Sequence, residues 1–391
     1  MARERGYTVD IAGFEQALDA QRRQSREERR SRDITVAVDS LADPASWERA
    51  SGSLTPAESR FVGYDVIEIE TQAVAVRRLP EGRVAVVLRE TPFYAESGGQ
   101  MSDVGEVVGD GWRVDVDEVR KVSGANAAVG TLHGEFRFGR ALARVPSDRR
   151  RDTERNHTAT HLLHAALRDV LGEHVHQAGS LVAPDRLRFD FTHHGPVKPE
   201  QLAAIEEWVN RGIWLDADLV FEQRHYADAV AAGAMALFGE KYGDVVRVVS
   251  IPGLSMELCG GTHARNTGQI ALCKIVSESG VAAGVRRIEA LTGPRAYAHV
   301  RDTEQRLRRV AELLRAPADG VERRVESLLE ERRALQRRLD EALRGGGDQL
   351  APLLARAERA DGARIVTGVV SANDVKELQA MGDALRAQLG S

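Results

Sequence analysis

Cysteine is nearly absent from this chain of 391 residues, which contains only Cys259 and Cys273. Two cysteines cannot build the disulfide framework of a small secreted domain, so we expect a reducing compartment and a cytoplasmic location. Cys273 lies in the alternating run 270–276, where it is better interpreted as a small buried residue than as a metal ligand.

Long apolar runs are also missing. No stretch reaches the roughly 20 apolar residues of a membrane helix, and the charged N-terminus has no following apolar core of the kind found in secretory signals. We therefore expect no membrane partner. The net charge of −5 gives no general excess of basic residues, so any binding of nucleic acid must depend on local basic patches.

Two short motifs carry the strongest chemical signal in the chain. His157 and His161 are spaced i, i+4 in a segment with helical periodicity, which places both imidazoles on one helix face. Cys259 and His263 flank a Gly-Gly pair, which lets the backbone bend so that both side chains turn to one point. Three imidazoles and a thiolate suit tetrahedral Zn²⁺. His164 shares the face of His157, and we interpret it as a core or outer-shell histidine.

Hydrophobic patterning divides the chain into five segments of an α+β protein. The segments predicted are a helical charged lead-in at 1–55, a small β-barrel of short strands at 56–148, a two-layer α+β domain at 149–295, a helical hairpin or coiled coil at 296–347, and the start of an α/β domain at 348–391.

The last two segments carry their own predictions. Apolar residues at heptad spacing predict a helical seam that could pair two chains into a homodimer. The seam residues are Val321, Val325, Leu328, Leu335, Leu339 and Ala342. The run 364–370 reads as a strand with no partner strand after it, which leads us to expect a fragment of a longer protein.

A glycine-rich loop at 91–100 is a further candidate. Pro92, Gly98 and Gly99 indicate a constrained connection between barrel strands. An ordinary glycine-rich turn would explain the pattern. The functional alternative is a loop whose exposed amides and Gln100 approach a ligand.

Together these motifs resemble one family. The chain is similar to the editing half of bacterial alanyl-tRNA synthetases and to the free-standing editing proteins related to them. The matching segments, in family order over about residues 60 to 295, are 91–100, 157–164, 177–182, 236–244, 257–263 and 284–293. Residues 6–22 resemble the linker after the tRNA-recognition helices, and 298–391 resemble a C-terminal domain cut short. Nothing resembles the class II aminoacylation core.

The resemblance implies hydrolysis of tRNA(Ala) mischarged with serine or glycine in a zinc-containing editing domain. By position, the zinc ligands are His157, His161, Cys259 and His263. Gln177 falls where the family has an editing-pocket glutamine, and Thr160 is expected to line the amino-acid pocket. Residues expected to contact substrate or tRNA are Gly98, Gly99, Gln100, Arg286 and Arg287.

Physical reasoning supports an editing reaction but leaves the role of zinc open. A pocket selecting alanine cannot strongly reject an added hydroxyl, so a second hydrolytic sieve is useful. Four protein ligands are typical of a closed structural site, whereas catalytic zinc keeps an open position. Either one ligand is loose and a water enters, or zinc positions the tRNA 3′ end. Gln177 would then orient water or substrate, because amides are poor bases.

Three other functions remain as alternatives. The first is a zinc-containing tRNA-binding module without catalysis. The second is a metalloprotease, which would require a glutamate directly after the first histidine, where this chain has Thr158. The third is the related threonyl-type editing domain. The 96–100 loop and the helical tail favour the alanyl type instead.

Overall fold

The computed structural model describes residues 41, 46–50, 59–236, 242–344, 347–360, 362–370, 372 and 374–390. These residues belong to two compact units, Met1–His299 and Val300–Ser391. Almost all of the lead-in predicted at 1–55 lies outside the described residues, and so do residues 237–241 of the 236–244 motif.

The first part of the chain forms a β-barrel, as the strand pattern predicted. The strands of this part are β1 (Glu48–Arg49), β2 (Arg60–Phe61), β3 (Glu68–Arg78), β4 (Arg83–Leu88), β5 (Glu90–Thr91), β6 (Gly105–Gly109), β7 (Trp112–Val122), β8 (Ala125–Gly134) and β9 (Gly139–Arg144). Strands β2 and β5 form a separate parallel pair. Six strands follow the order β3-β4-β8-β7-β6-β9, and β9 pairs again with β3 to close the barrel. Closure leaves these strands without a free edge.

The alternation of side chains along β7 shows why this sequence forms a barrel strand. Trp112, Val114 and Val116 are buried in the barrel core, whereas the intervening Arg113 and Asp115 are exposed. A period of two places successive side chains on opposite faces of a sheet. The same alternation made the barrel readable from the sequence.

An α+β layer follows the barrel. Its elements are helix α1 (Ser147–Leu171), β10 (Gln177–Val182), β11 (Leu187–Thr192), α2 (Pro199–Trp214), β12 (Val220–His225), α3 (Tyr226–Ala231), β13 (Val245–Ile251), β14 (Ser255–Leu258), β15 (Cys273–Ala282) and β16 (Val285–Thr292). One antiparallel sheet has the order β10-β11-β16-β15, and a second has the order β12-β13-β14. Cys273 is buried at the start of β15, as predicted.

Helix α1 forms the centre of this layer. Leu162, Leu163 and Leu167 lie on one face at helical spacing and pack with Phe189 and Phe191 of β11 in one buried core. The helix ends at Gly172, whose φ of 115° is costly for other residues. The histidines of the metal motif are therefore carried by a helix that the core holds in place.

The second unit is mostly helical. Helix α4 (Gly293–Leu314) runs into this unit, which then contains α5 (Val321–Arg344), α6 (Gly347–Leu354), β17 (Glu358–Ala360), β18 (Ala363–Ile365) and α7 (Val375–Leu389). A short 3₁₀ turn, Ala318–Gly320, separates α4 from α5. Leu335 and Leu339 of the predicted seam are more than half exposed in this chain, and their pairing in a coiled coil stays a prediction.

The strand predicted at 364–370 needs correcting. The structure forms only the short strand β18, and this strand pairs antiparallel with β17. The partner strand therefore precedes β18 rather than following it. The tight turn between the two strands contains Gly362, whose φ is 86°. Because β18 is paired, an unpaired strand no longer supports the expectation that the chain is a fragment of a longer protein.

None of the described helices combines the length and the apolar character of a membrane span.

Candidate metal centre

Four side chains from two distant segments meet in one buried group. His157 and His161 project from successive turns of α1, while Cys259 directly follows β14 and His263 lies four residues further on. One potential ligand atom from each residue lies within 4.8 Å of all the others. Sγ of Cys259 is 3.3 Å from Nε2 of His157 and 3.3 Å from Nε2 of His263. The structure thus brings together the four residues singled out in the sequence.

This group has the properties of a metal site. Ligand atoms around a tetrahedral zinc are separated by about 3.3 to 3.6 Å, which both Sγ–Nε2 distances match. Nδ1 of His161 is buried and has no hydrogen-bond partner among the described residues. A buried nitrogen left unpaired is costly, and a metal ion would satisfy it. The donor set fits Zn²⁺ better than Mg²⁺ or Ca²⁺, which prefer oxygen ligands.

The three imidazoles are held in their neutral form. Burial, with the adjacent His161 and Arg247 as smaller causes, lowers the pKa of His157 well below its usual value. Burial and the neighbouring histidines do the same to the pKa of His263. Burial also lowers the pKa of His161, although Glu257 opposes the shift. A neutral imidazole keeps the lone pair that a metal ligand needs.

Each histidine is oriented by a second polar group. Nδ1 of His157 lies 2.8 Å from Oε1 of Gln100, and Nδ1 of His263 lies 3.2 Å from Oγ1 of Thr158. Nε2 of His161 lies 3.6 Å from a carboxylate oxygen of Glu257. Such partners fix the ring orientation and tautomer of metal-bound histidines.

Glu257 links the metal group to His164. Its Oε1 lies 3.1 Å from Nδ1 of His164, so this histidine is an outer-shell residue rather than a fifth ligand, as predicted. Burial opposes ionisation of the carboxyl, but His161 and His164 outweigh it and hold the pKa of Glu257 below its usual value. Glu257 therefore carries a negative charge beside the metal group.

Arg247 holds the loop that carries Cys259 and His263. Its Nη1 donates to the backbone oxygens of Cys259 and Gly261, each at 2.9 Å. Its guanidinium carbon lies 4.1 Å from the ring centre of Tyr64 and 4.8 Å from that of Phe221. Sequence reasoning missed this arginine. The available signal was a charged residue inside an otherwise apolar strand, since Arg247 interrupts the valines of β13.

Tyr64 holds the same loop from the barrel side and was also missed. Its hydroxyl donates to the backbone oxygen of Gly260 at 2.6 Å. Arg265 in turn donates to the backbone oxygen of Tyr64 at 2.6 Å. Nothing in the local sequence around Tyr64 indicates this contact, because its partners lie about two hundred residues away.

A cavity of about 130 Å³ opens beside the metal group. Its walls include the ligand His263 together with aromatic, acidic and basic side chains. The lining residues are Tyr64, Asp65, Glu154, Phe221, Arg247, Thr262, His263 and Arg265. Burial raises the pKa of Glu154 to about 7, with Arg150 opposing the shift. The cavity gives a small polar ligand room next to an imidazole of the metal group.

The two residues expected to act on the substrate have defined positions. Thr160 is buried on α1, and its hydroxyl donates to the backbone oxygen of Asn156 at 2.8 Å. Gln177 is the half-buried first residue of β10, and its Nε2 donates to Oγ of Ser180 at 3.3 Å. Their roles stay predictions.

The glycine-rich loop lies against the edge strand β10. The backbone oxygen of Gly99 accepts a hydrogen bond from the backbone N–H of Val182, and a Cβ at Gly99 would overlap Ser180. Gly98 has a φ of 58° and open space around it. Gln100 is fully buried, and its side chain contacts the loop that carries Cys259 and His263. Its contact with substrate or tRNA stays a prediction.

Arg286 and Arg287 are the second and third residues of β16, and both are paired with carboxylates. Arg287 binds Asp190 through two hydrogen bonds of 2.7 and 2.8 Å, and Nε of Arg286 donates to Glu278 at 2.6 Å. These bonds raise the pKa of both guanidinium groups. Contact of either arginine with tRNA stays a prediction.

Comparison with known proteins places these residues among aminoacyl-tRNA synthetases. Residues 1–150 match the family described as tRNA synthetases class II (A). Residues 246–289, which contain Cys259 and His263, match the threonyl and alanyl tRNA synthetase second additional domain.

Three relatives that match the whole chain are alanine–tRNA ligases. Over its full length the chain is 43% identical to alanine–tRNA ligase of Bordetella parapertussis, of which it covers 44%. It is 44% identical to the enzyme of that name from Roseiflexus sp. and covers 46% of it. The corresponding values for Geobacillus thermodenitrificans are 42% and 45%. The chain therefore spans less than half the length of these relatives.

Proposed function

We propose that this chain, which belongs to the alanyl-tRNA synthetase family, hydrolyses the ester bond of tRNA(Ala) mischarged with serine or glycine. The observation that carries the proposal is the meeting of His157, His161, Cys259 and His263 in one buried group beside a small cavity. We assign Zn²⁺ to this group because its donors are three neutral imidazoles and a thiol.

In the proposed reaction, different residues would bind the metal, orient the reactants and hold the loop of Cys259 and His263. Zinc, when bound, would supply a Lewis acid next to the reacting ester. Gln177 would orient the attacking water or the substrate, since an amide is a hydrogen-bonding group and not a base. Arg247 and Tyr64 keep the loop of Cys259 and His263 in place.

The choice of serine over alanine follows from hydrogen bonding in the pocket. Thr160 is expected to line the amino-acid pocket, where its Oγ1, which donates to the backbone oxygen of Asn156, would accept a hydrogen bond from a seryl hydroxyl. An alanyl group offers no such donor, so pocket groups that pair with serine would be left unpaired. Correctly charged tRNA would thus be spared. This hydrogen bond does not account for the glycyl ester, whose hydrolysis is proposed from the family resemblance alone.

Single-turnover deacylation tests this proposal. Seryl-tRNA(Ala) and glycyl-tRNA(Ala) should be hydrolysed much faster than alanyl-tRNA(Ala), and the protein should contain about one zinc ion per chain. Cys259→Ala should lower both zinc content and rate, whereas Cys273→Ala, away from the metal group, should keep the zinc. Equal hydrolysis of seryl and alanyl esters, or active protein without zinc, would overturn the proposal.

A second candidate is editing of the threonyl type, because the matched domain is shared by threonyl and alanyl enzymes. The two are separated by offering seryl-tRNA(Thr) and seryl-tRNA(Ala) in parallel. We expect preference for the alanine tRNA. Binding of tRNA with hydrolysis of neither ester would instead identify a non-catalytic zinc module.

A metalloprotease is disfavoured by Thr158. This residue occupies the position of the required glutamate, and its hydroxyl accepts a hydrogen bond from the backbone N–H of Ala264. The homodimer and the cytoplasmic location expected from the sequence stay predictions.

A further inference from the structure

Gln100 joins the barrel to the metal-binding loop through three buried hydrogen bonds. Its Oε1 lies 2.8 Å from Nδ1 of His157 and 2.9 Å from the backbone nitrogen of Thr262. Its Nε2 donates to Oγ1 of Thr262 at 2.9 Å. All three residues are buried, so water does not compete for these bonds.

The pattern of donors around Gln100 determines the tautomer of His157. The backbone N–H of Thr262 can only donate, so the amide atom facing it must be the oxygen Oε1. That same oxygen faces Nδ1 of His157, which must therefore carry the ring proton and donate. Nε2 of His157 is left unprotonated, and this is the nitrogen that lies 3.3 Å from Sγ of Cys259.

We propose that Gln100 is a positioning residue for the metal centre. It holds His157 in the tautomer whose Nε2 can bind the ion, and it holds Thr262 between Cys259 and His263. This inference rests on the proposed zinc site and is independent of the substrate.

Gly261 provides a second observation for this role. A Cβ at Gly261 would overlap the ring of His157 and press on Oε1 of Gln100. The loop can therefore close over the pair only with glycine at this position. The backbone of Gly261 thus covers the contact between Gln100 and His157 without a side chain.

The backbone around Gln100 is itself fixed. Gly99 accepts a hydrogen bond from the backbone N–H of Val182, and the N–H of Met101 donates to the backbone oxygen of Val182. Gln100 is therefore held between two backbone bonds to strand β10. Because this segment leads into barrel strand β6, docking of the barrel is coupled to the arrangement of the proposed metal ligands.

Two substitutions of similar size separate positioning from packing. Gln100→Met fills the same space without hydrogen bonds, and we expect it to weaken zinc binding by about 10- to 100-fold. Gln100→Glu still accepts from His157 and Thr262, and the Thr262 hydroxyl can turn to donate to it. We expect this variant to bind zinc within about threefold of the parent chain.

Zinc affinity is measured by competition with a chromophoric chelator, and the ligand field is followed in the cobalt-substituted protein. Gln201→Met is the matched control, because it removes an amide hydrogen bond to the backbone N–H of Lys198 at the start of α2. It should leave zinc affinity unchanged. If the methionine variant does not fold, the ¹⁵N chemical shifts of the His157 ring in the parent chain provide a second test, because they should show a protonated Nδ1 and an unprotonated Nε2.

A role in packing alone predicts the reverse order, with Met tolerated and Glu harmful because it buries a charge. Zinc affinity of Gln100→Met equal to that of the parent, or lost in Gln100→Glu alone, would overturn the inference. A parent chain that binds no zinc would instead overturn the proposed function, so the two failures are distinguishable.

Discussion

The carboxylate of Glu257 lies 3.6 Å from Nε2 of His161, inside the protein and behind the metal group. This contact occupies the Nε2 side of the ring and leaves the unpartnered Nδ1 for the ion. A buried carboxylate in this position raises the basicity of a metal-bound imidazole and orients it. The electrostatics of the site therefore depend on a residue that binds no metal itself.

Replacing Glu257 by Gln should weaken zinc binding by about tenfold, because the neutral amide keeps the shape but removes the charge. Competition with a chelator measures the change. Glu289→Gln, which removes a more exposed carboxylate on β16, is the control and should have no effect. Unchanged affinity in the Glu257 variant would show that the carboxylate serves only the fold.

The two cysteines should differ in reactivity. Burial raises the pKa of the Cys273 thiol to about 12, so it stays protonated and unreactive towards alkylating reagents at pH 8. Cys259 is half-buried and should react only after zinc is removed by a chelator. Mass spectrometry after labelling should therefore find one modified site in chelator-treated protein and none in the zinc form. Early labelling of Cys273 in folded protein would contradict its burial.

A buried ion pair should stabilise the contact of α1 with the barrel. Arg150 is 1% exposed, pairs with Asp103, and donates to the backbone oxygens of Gly63 and Pro92. Arg150→Met should lower the free energy of unfolding by about 3–5 kcal/mol, because it leaves Asp103 buried and unpaired.

Chemical denaturation measures this loss. The double variant Arg150→Met, Asp103→Leu should recover part of the stability, since it removes the stranded charge as well. Additive losses in the two single variants would show that the two side chains act independently.

Glu154 should make stability dependent on pH. Its pKa of about 7 in the folded protein lies above the ordinary value of 4.5, so the native state binds the proton more tightly than the unfolded state. The free energy of unfolding should therefore fall as pH rises from about 4.5 to about 7. In metal-free protein, Glu154→Gln should raise the free energy of unfolding, compared with the parent chain, by about 1–3 kcal/mol more at pH 8 than at pH 5. Glu173→Gln, at an exposed carboxylate, should show no such pH dependence.

The arginines of α5 should contribute to tRNA affinity. Arg332, Arg333, Arg337 and Arg338 are all exposed on this helix. Replacing the four by Gln should weaken tRNA binding and reduce its dependence on salt, because fewer phosphate contacts release fewer counterions. The single-turnover rate at saturating tRNA should change little, since no metal ligand lies in this helix. Unchanged affinity would leave α5 as a spacer or a dimer contact.

The four residues of the candidate metal group could be recognised from the sequence because each pair is a local pattern. His157 and His161 share a face by helix geometry alone, and a Gly-Gly turn brings Cys259 close to His263. The barrel was readable for the same reason, since alternation within a strand such as β7 needs no distant information. The strand predicted at 364–370 was wrong beyond Ile365, because the hairpin with β17 is short and the rest of the run only packs Val366 and Val370 against a small core.

The sequence by itself determined which four side chains could form a metal site, because the spacing within each pair is set by the geometry of one helix and one loop. Only the tertiary structure decided what orients them. Gln100 and Tyr64 lie 162 and 196 residues from their partners in the metal-binding loop. Contacts at such separations depend on how barrel and sheet pack together, and that packing is the sum of many apolar contacts that no local pattern encodes.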